Sequence, residues 1–137
     1  MNKNVLIIGS GSIAKKHIIN LKKLNYKLYI STSNVNFIKK RNDLIDIKSL
    51  KNYPDFEFAI IANNTNDHLK SIKYLIKKKI HIYCEKPISN KIFNFKKIRK
   101  LLKQNKIIYH SGYQLLNDSK VIFLKKKLRK LKIKSFI

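Results

Sequence analysis

The sequence predicts an α/β fold, a doubly wound and mostly parallel sheet with helices on both faces. Three observations lead there. Short apolar runs of strand length alternate five times with segments of helical spacing. Several of the runs are apolar at nearly every position, as in strands covered on both faces. The connections between them are short. A chain of 137 residues, 44% hydrophobic, has room for one domain with a real core, followed here by a trailing helix and strand.

The elements follow in order. Residues 5–8 (Val-Leu-Ile-Ile) are apolar and largely β-branched and stop at Gly9, which predicts a buried strand. From Ser12 to Leu24 the spacing becomes helical, with Ile13, Ile18, Leu21 and Leu24 on one face and Lys15, Lys16, Lys22 and Lys23 mostly elsewhere. A strand at 27–31 is followed by a Ser/Thr/Asn turn, a short helix over 36–41 and a weakly patterned strand near 44–47. Residues 56–62 form the next strong strand, and 67–78 a helix carrying Leu69, Ile72, Leu75 and Ile76. After a strand at 80–84, Ser89 is suited to cap a helix reaching Gln104, with Ile92, Phe95, Ile98, Leu101 and Leu102 turned inward. A strand at 107–110, a lysine-rich helix over 118–130 and a β-like end at 132–137 complete the chain.

The formal charge of +25, from 32 basic against 7 acidic residues, points first to nucleic acid or an anionic membrane. All the basic residues except Arg41, Arg99 and Arg129 are lysines, however, and Ile and Asn are also abundant, the signature of A/T-rich codons. The lysines are spread over the polar face of every helical segment, and no nucleic-acid motif is present, so nucleic-acid binding ranks last. The single cysteine, Cys84, excludes an internal disulfide and a Cys-rich zinc site, and its surroundings suggest a small buried side chain. No signal peptide is visible, and no apolar run nears the roughly 18–20 residues that span a bilayer, so a reduced, soluble, cytoplasmic protein is expected. His17, His68, His81 and His110 lack metal-ligand spacing, and no metal site is expected. His17 reads as structural or surface and His81 as a packed or edge residue, while His110 stays open as a candidate at a strand end. Tyr113 either approaches a ligand or simply packs.

The chemistry lies at the ends of the strands. Gly9-Ser10-Gly11-Ser12-Ile13-Ala14 fits G-x-G-x-x-A between a buried strand and a helix. Gly9 permits the tight turn, Gly11 lets backbone approach a pyrophosphate, and Ala14 allows close helix–strand packing. The helix start offers free N–H groups and a positive dipole end. This is a Rossmann-type dinucleotide fingerprint. The acidic residue that usually takes the ribose hydroxyls is missing, since the second strand ends Ile30-Ser31-Thr32-Ser33-Asn34. Neutral Ser31, Thr32 and Ser33, with Lys39, Lys40 or Arg41 as helpers, tilt the expectation from NAD toward NADP; an ordinary turn is the alternative. Two more polar turns leave strands on the same edge. They are Ala62-Asn63-Asn64-Thr65-Asn66-Asp67-His68 and Cys84-Glu85-Lys86-Pro87, in which Lys86 is placed to hold a substrate hydroxyl or assist proton transfer.

Three blocks in order resemble the N-terminal half of the Gfo/Idh/MocA oxidoreductases: IGSGSIAKKHIINL, FAIIANNTNDHLKSIKYLIKKKIHIYCEKPIS and HSGYQLLNDSKVIFLKKKL. The resemblance implies that Gly9, Gly11, Ser12, Ile13 and Ala14 contact the pyrophosphate. Asn63, Asn64, Thr65 and His68 would line the nicotinamide side, Glu85 and Lys86 would face cofactor and substrate, and Lys86 would be the catalytic lysine. It implies hydride transfer to or from a hydroxyl-bearing carbon of a sugar, sugar derivative or cyclitol. After Gly112-Tyr113-Gln114 many members carry an Arg, an aromatic, His and Pro, whereas this chain reads Leu116-Asn117-Asp118-Ser119. Members continue into a second α/β domain that supplies substrate contacts and a catalytic His. The expected division is therefore a dinucleotide-binding domain over 1–115 and the start of a truncated second domain over 116–137. Such a chain would be an oxidoreductase half, or else a non-catalytic nucleotide-binding module or split subunit that needs a partner chain.

Overall fold

The computed structural model describes residues 3–130. Six strands form one sheet, β1 (Asn4–Ile8), β2 (Lys27–Ser31), β3 (Ile45–Asp46), β4 (Phe58–Ile61), β5 (His81–Cys84) and β6 (Tyr109–Ser111). Five helices connect or follow them, α1 (Ser12–Lys23), α2 (Val35–Lys39), α3 (Thr65–Lys77), α4 (Phe95–Gln104) and α5 (Ser119–Lys130). The strand order is β3-β2-β1-β4-β5-β6, and every neighbouring pair is parallel. The expected doubly wound sheet is therefore present, and its order reverses between β1 and β4, where such sheets open a crevice at the carboxyl ends of the strands.

Alternation along the strands divides the core in two. Val5 and Ile7 of β1, Leu28 and Ile30 of β2, and Ile60 of β4 pack with Ala14, Ile18 and Leu21 of α1. Leu6, Tyr29, Ala59, Ile61 and Ile82 point the other way, onto Ile72, Leu75 and Ile76 of α3 and Ile98 and Leu102 of α4. Strands covered on both faces have no polar side to present, which is why their sequences read as continuous apolar runs.

Several expectations are corrected. The face that α1 buries is Ala14, Ile18 and Leu21, whereas Ile13 and Leu24 are exposed. Helix α4 begins at Phe95 and not near Ser89: Asn94 caps it by accepting from the Lys96 N–H at 2.9 Å. The Ser89 hydroxyl instead closes a local turn with the Lys91 backbone. Ile92 consequently lies in a loop, fully exposed, and Leu101 is also largely exposed on α4. The strand expected over 44–47 is only Ile45–Asp46, because residues Ile47–Ser49 turn into a 3-10 helix with Asp46 as cap. Asp118 caps α5 by accepting from the N–H groups of Lys120 and Val121. The β-like end over 132–137 lies outside the described residues. Lysines are exposed along α1, α3 and α4, the solvated surface that their spacing implied.

Candidate functional site

The carboxyl ends of β1, β2, β4 and β5 open into one cleft of about 820 Å³. Each wall is the segment that leaves a strand. Gly9–Ile13 follows β1, Ser31–Asn34 follows β2, Ala62–Thr65 follows β4, and Glu85 and Lys86 follow β5. The loops are held level by parallel-ladder bonds that run on past the strands. Gly9 N–H donates to Ser31 O, Ala62 N–H to Ile8 O and Glu85 N–H to Ile61 O, all at 2.9 Å. Of the fingerprint and strand-end residues named from the sequence for the cofactor, all but Ala14 line the cleft; Ala14 is fully buried against β1. Four lining residues were not picked out as ligands, namely Ile8, Asn34, Lys48 and Asp67.

The two fingerprint glycines have different tasks. Gly9 adopts φ +118°, and a Cβ there would stand 2.4 Å from the Ala62 carbonyl oxygen and 2.7 Å from the Asn63 nitrogen. It is the point where the β1 and β4 loops touch backbone to backbone. Gly11 has ordinary extended backbone, and a Cβ on it would meet no heavy atom within 4 Å. Its missing side chain leaves open space in the cleft wall. Gly11 is also the N-cap of α1, which has no side-chain cap and no acid in its first turn, so the helix start is bare and electropositive. That combination fits a pyrophosphate.

On the β2 side, the Ser10 and Thr32 hydroxyls are hydrogen-bonded at 2.9 Å, tying the fingerprint loop to the second turn. Thr32 Oγ1 also accepts from the Asn34 N–H. The basic helpers proposed from the sequence do not line the cleft. Arg41 is committed to Asp43 through Nε and a terminal nitrogen at 2.7 and 2.8 Å, and that guanidinium holds the Asp43 carboxyl well below the usual carboxylate range, with Lys22 adding to it. Lys48 lines the cleft in their place.

On the other side, His68 is buried, with Nδ1 at 2.9 Å from the Pro87 carbonyl oxygen and Nε2 at 3.1 Å from that of Asn63. Its two ring nitrogens face carbonyl oxygens of the β4 and β5 loops, and the ring donates to one or the other according to its tautomer. Asn63 Nδ2 donates to Ser71 Oγ at 3.1 Å. Glu85 is 6% exposed, and its carboxylate reaches back to His17 Nε2 at 2.7 Å. His17 packs edge-on against Tyr83, and Tyr83 stacks on His110. Gly112 closes the other side, where a Cβ would lie 3.0 Å from both Glu85 Oε2 and the Tyr83 hydroxyl. Lys86 stands exposed at the rim, joined to Pro87 by a cis peptide bond. His110 and Tyr113 are not among the lining residues.

His17 is thus the buttress of Glu85. His17→Ala is expected to lower stability by about 1–3 kcal/mol by stranding a buried carboxylate, and His17→Gln to recover part of it; thermal melts of the three proteins check this. Cys84 is fully buried, and burial pushes its thiol up to about 11. It is expected to resist a thiol reagent at pH 8 in the folded chain and to react readily in denaturant. The unfolded thiol ionises first, so the contribution from Cys84 is intact below about pH 8.5 and falls as pH rises toward 11.

Comparison with known proteins identifies the family. The family described as "Oxidoreductase family, NAD-binding Rossmann fold" (GFO_IDH_MocA) matches residues 3–113. The chain belongs to this family. Its sheet is the family's NAD-binding Rossmann domain. It is 31% identical over 100 residues to the uncharacterized oxidoreductase YrbE of Bacillus subtilis, an alignment covering 65% of this chain and 29% of that protein. Among solved structures, myo-inositol 2-dehydrogenase from Lactobacillus plantarum superposes with a TM-score of 0.79 at 19% identity, over 100% of this chain and 44% of that one. Scyllo-inositol dehydrogenase from Lactobacillus casei, with bound NAD(H) and scyllo-inositol, gives 0.77 at 17% identity, over 98% and 43%. A probable dehydrogenase from Thermotoga maritima gives 0.78 at 21% identity, over 95% and 42%. The chain therefore spans less than half the length of these relatives. Among the described residues, no helix is long and apolar enough to cross a membrane, and no three His, Cys, Asp or Glu side chains gather as a metal site.

Proposed function

We propose that this chain is the cofactor half of an oxidoreductase that transfers hydride to or from a hydroxyl-bearing carbon of a sugar-like or cyclitol substrate, with NADP preferred over NAD. The observation that carries the proposal is the cleft at the strand-order reversal, where an uncapped helix start and the open space at Gly11 face the same volume. A relative with NAD(H) and scyllo-inositol bound supports the ligand classes.

The residues take these parts. Backbone of Gly9–Ile13 holds the pyrophosphate, and Ser31, Thr32 and Ser33 face the adenosine ribose. Asn63, Asn64 and Thr65 line the nicotinamide side, with His68 fixing the loop that carries them. The nicotinamide supplies the hydride chemistry when bound. Lys86 Nζ donates to the reacting oxygen of the substrate, orienting it and easing movement of its proton. Glu85, held by His17, fixes the turn from which Lys86 projects.

Residues 116–137 are assigned to the start of a second domain. The faces around α5 agree with this, since Leu115, Leu116, Phe123 and Leu124 are more than half exposed. The substrate wall then comes from sequence beyond this chain or from a partner chain, and a nucleotide-binding subunit that lends its cofactor to such a partner is the second reading. Titration with NADH and NADPH, followed by nicotinamide fluorescence at two salt concentrations, tests the proposal. Saturable binding that largely survives the higher salt is expected. Absence of binding by folded protein, or binding that collapses with salt as diffuse lysine–phosphate attraction does, contradicts it.

A further inference from the structure

We propose that Lys48 is the residue that reads the 2′-phosphate and so sets the preference for NADP. The inference rests on the cofactor reading above and names the side chain within it. A lysine 16 positions beyond Thr32 has no place in the local fingerprint; the sheet brings it there. Strands β2 and β3 run parallel with Ile30 opposite Asp46, so the segments leaving them lie side by side. The 3-10 turn Ile47–Ser49 then turns Lys48 back over the second loop, where its Nζ donates to the Thr32 carbonyl oxygen at 3.2 Å. One of the three ammonium donors is used in this way, and two remain for an anion.

The charges around it favour a phosphate. The lining residues from the β2 side are Ser31, Thr32, Ser33, Asn34 and Lys48, a single cation among neutral side chains. The lining acids, Asp67 and Glu85, come from α3 and the segment after β5, across the cleft. Asp46, the nearest acid in sequence, is outside the lining, and its Oδ1 accepts the Lys48 backbone N–H at 3.0 Å to cap the turn. Asp43 is paired with Arg41 and Lys22. Among the described residues no carboxylate from this side lines the cleft, whereas a lysine does, which favours a phosphate over bare ribose hydroxyls. Lys39 and Lys40, nearer in sequence, do not line the cleft.

The test uses the full chain and four ligands, NADPH, NADH, adenosine 2′,5′-bisphosphate and AMP. Lys48→Ala is expected to weaken NADPH and the bisphosphate about tenfold while changing NADH and AMP less than about twofold. Lys48→Glu is expected to reverse the preference. Lys40→Ala, which removes the same charge outside the cleft, is expected to leave it unchanged. Equal weakening of all four ligands by Lys48→Ala, or the same loss of preference from Lys40→Ala, overturns the assignment. Failure of the wild-type chain to bind either dinucleotide is a different result, and it overturns the cofactor reading itself.

Discussion

Gly9→Val is expected to cost about 3–5 kcal/mol of folding stability, the largest loss from any single substitution in the fingerprint. Two effects add. The backbone at φ +118° is one that a β-branched residue rarely adopts, and the new Cβ would collide with the Ala62 carbonyl at 2.4 Å. The obstacle is backbone at the end of a central strand and cannot rotate away. Natural domains of this size hold only about 5–15 kcal/mol in reserve, so the melting temperature is expected to fall by roughly 10–20 °C. Gly9→Ala meets the same carbonyl and should lose most of that amount. Melting of Gly9→Ala within a degree or two of the unaltered chain would show that the two loops are free to separate.

Gly11→Val is expected to do the reverse. Its backbone is unstrained and its missing Cβ faces nothing within 4 Å, so the fold loses only about 1 kcal/mol, from a poorer helix cap. A branched side chain would nevertheless stand in the space proposed for the pyrophosphate at the α1 N-terminus, and dinucleotide affinity is expected to drop by about a hundredfold or more. Calorimetry and equilibrium binding on the two variants separate the roles expected of the two glycines, Gly9 in building the loop and Gly11 in leaving room for the ligand. A Gly11→Val protein that binds with unchanged affinity would place the phosphates elsewhere.

Those separate roles also mark what sequence can and cannot convey. The path from residues 5–8 through Gly9 to α1 was legible because each signal is local, an apolar run, a glycine and a helical period in immediate succession. The same holds for the ends of β2, β4 and β5, whose polar turns interrupt apolar strands. The start of α4 is ambiguous in the sequence because Ser89 and Asn94 are both able to cap a helix; Ser89 folds onto Lys91, and Asn94 takes the helix. Periodicity also turns Ile13 and Leu24 inward with Ile18 and Leu21, whereas the buried set of α1 is Ala14, Ile18 and Leu21, with small Ala14 letting the helix approach the sheet. The pairing of His17 with Glu85 joins positions 68 apart and has no local signal. Lys48 has no local signal either. Lys39, Lys40 and Arg41 looked closer along the chain, but strand register, not sequence distance, decides which lysine stands beside Thr32.

Backbone amide NMR during titration with NADPH asks residue by residue whether the carboxyl edge between β1 and β4 holds a dinucleotide. Saturable shifts are expected in Gly9–Ile13, Ser31–Asn34, Asn63–Thr65 and Lys86, with the opposite edge around Tyr53, Phe56 and Tyr74 unmoved. Shifts that never saturate, or that scatter over the exposed lysines of α1, α3 and α4 and leave the fingerprint loop untouched, would contradict the account.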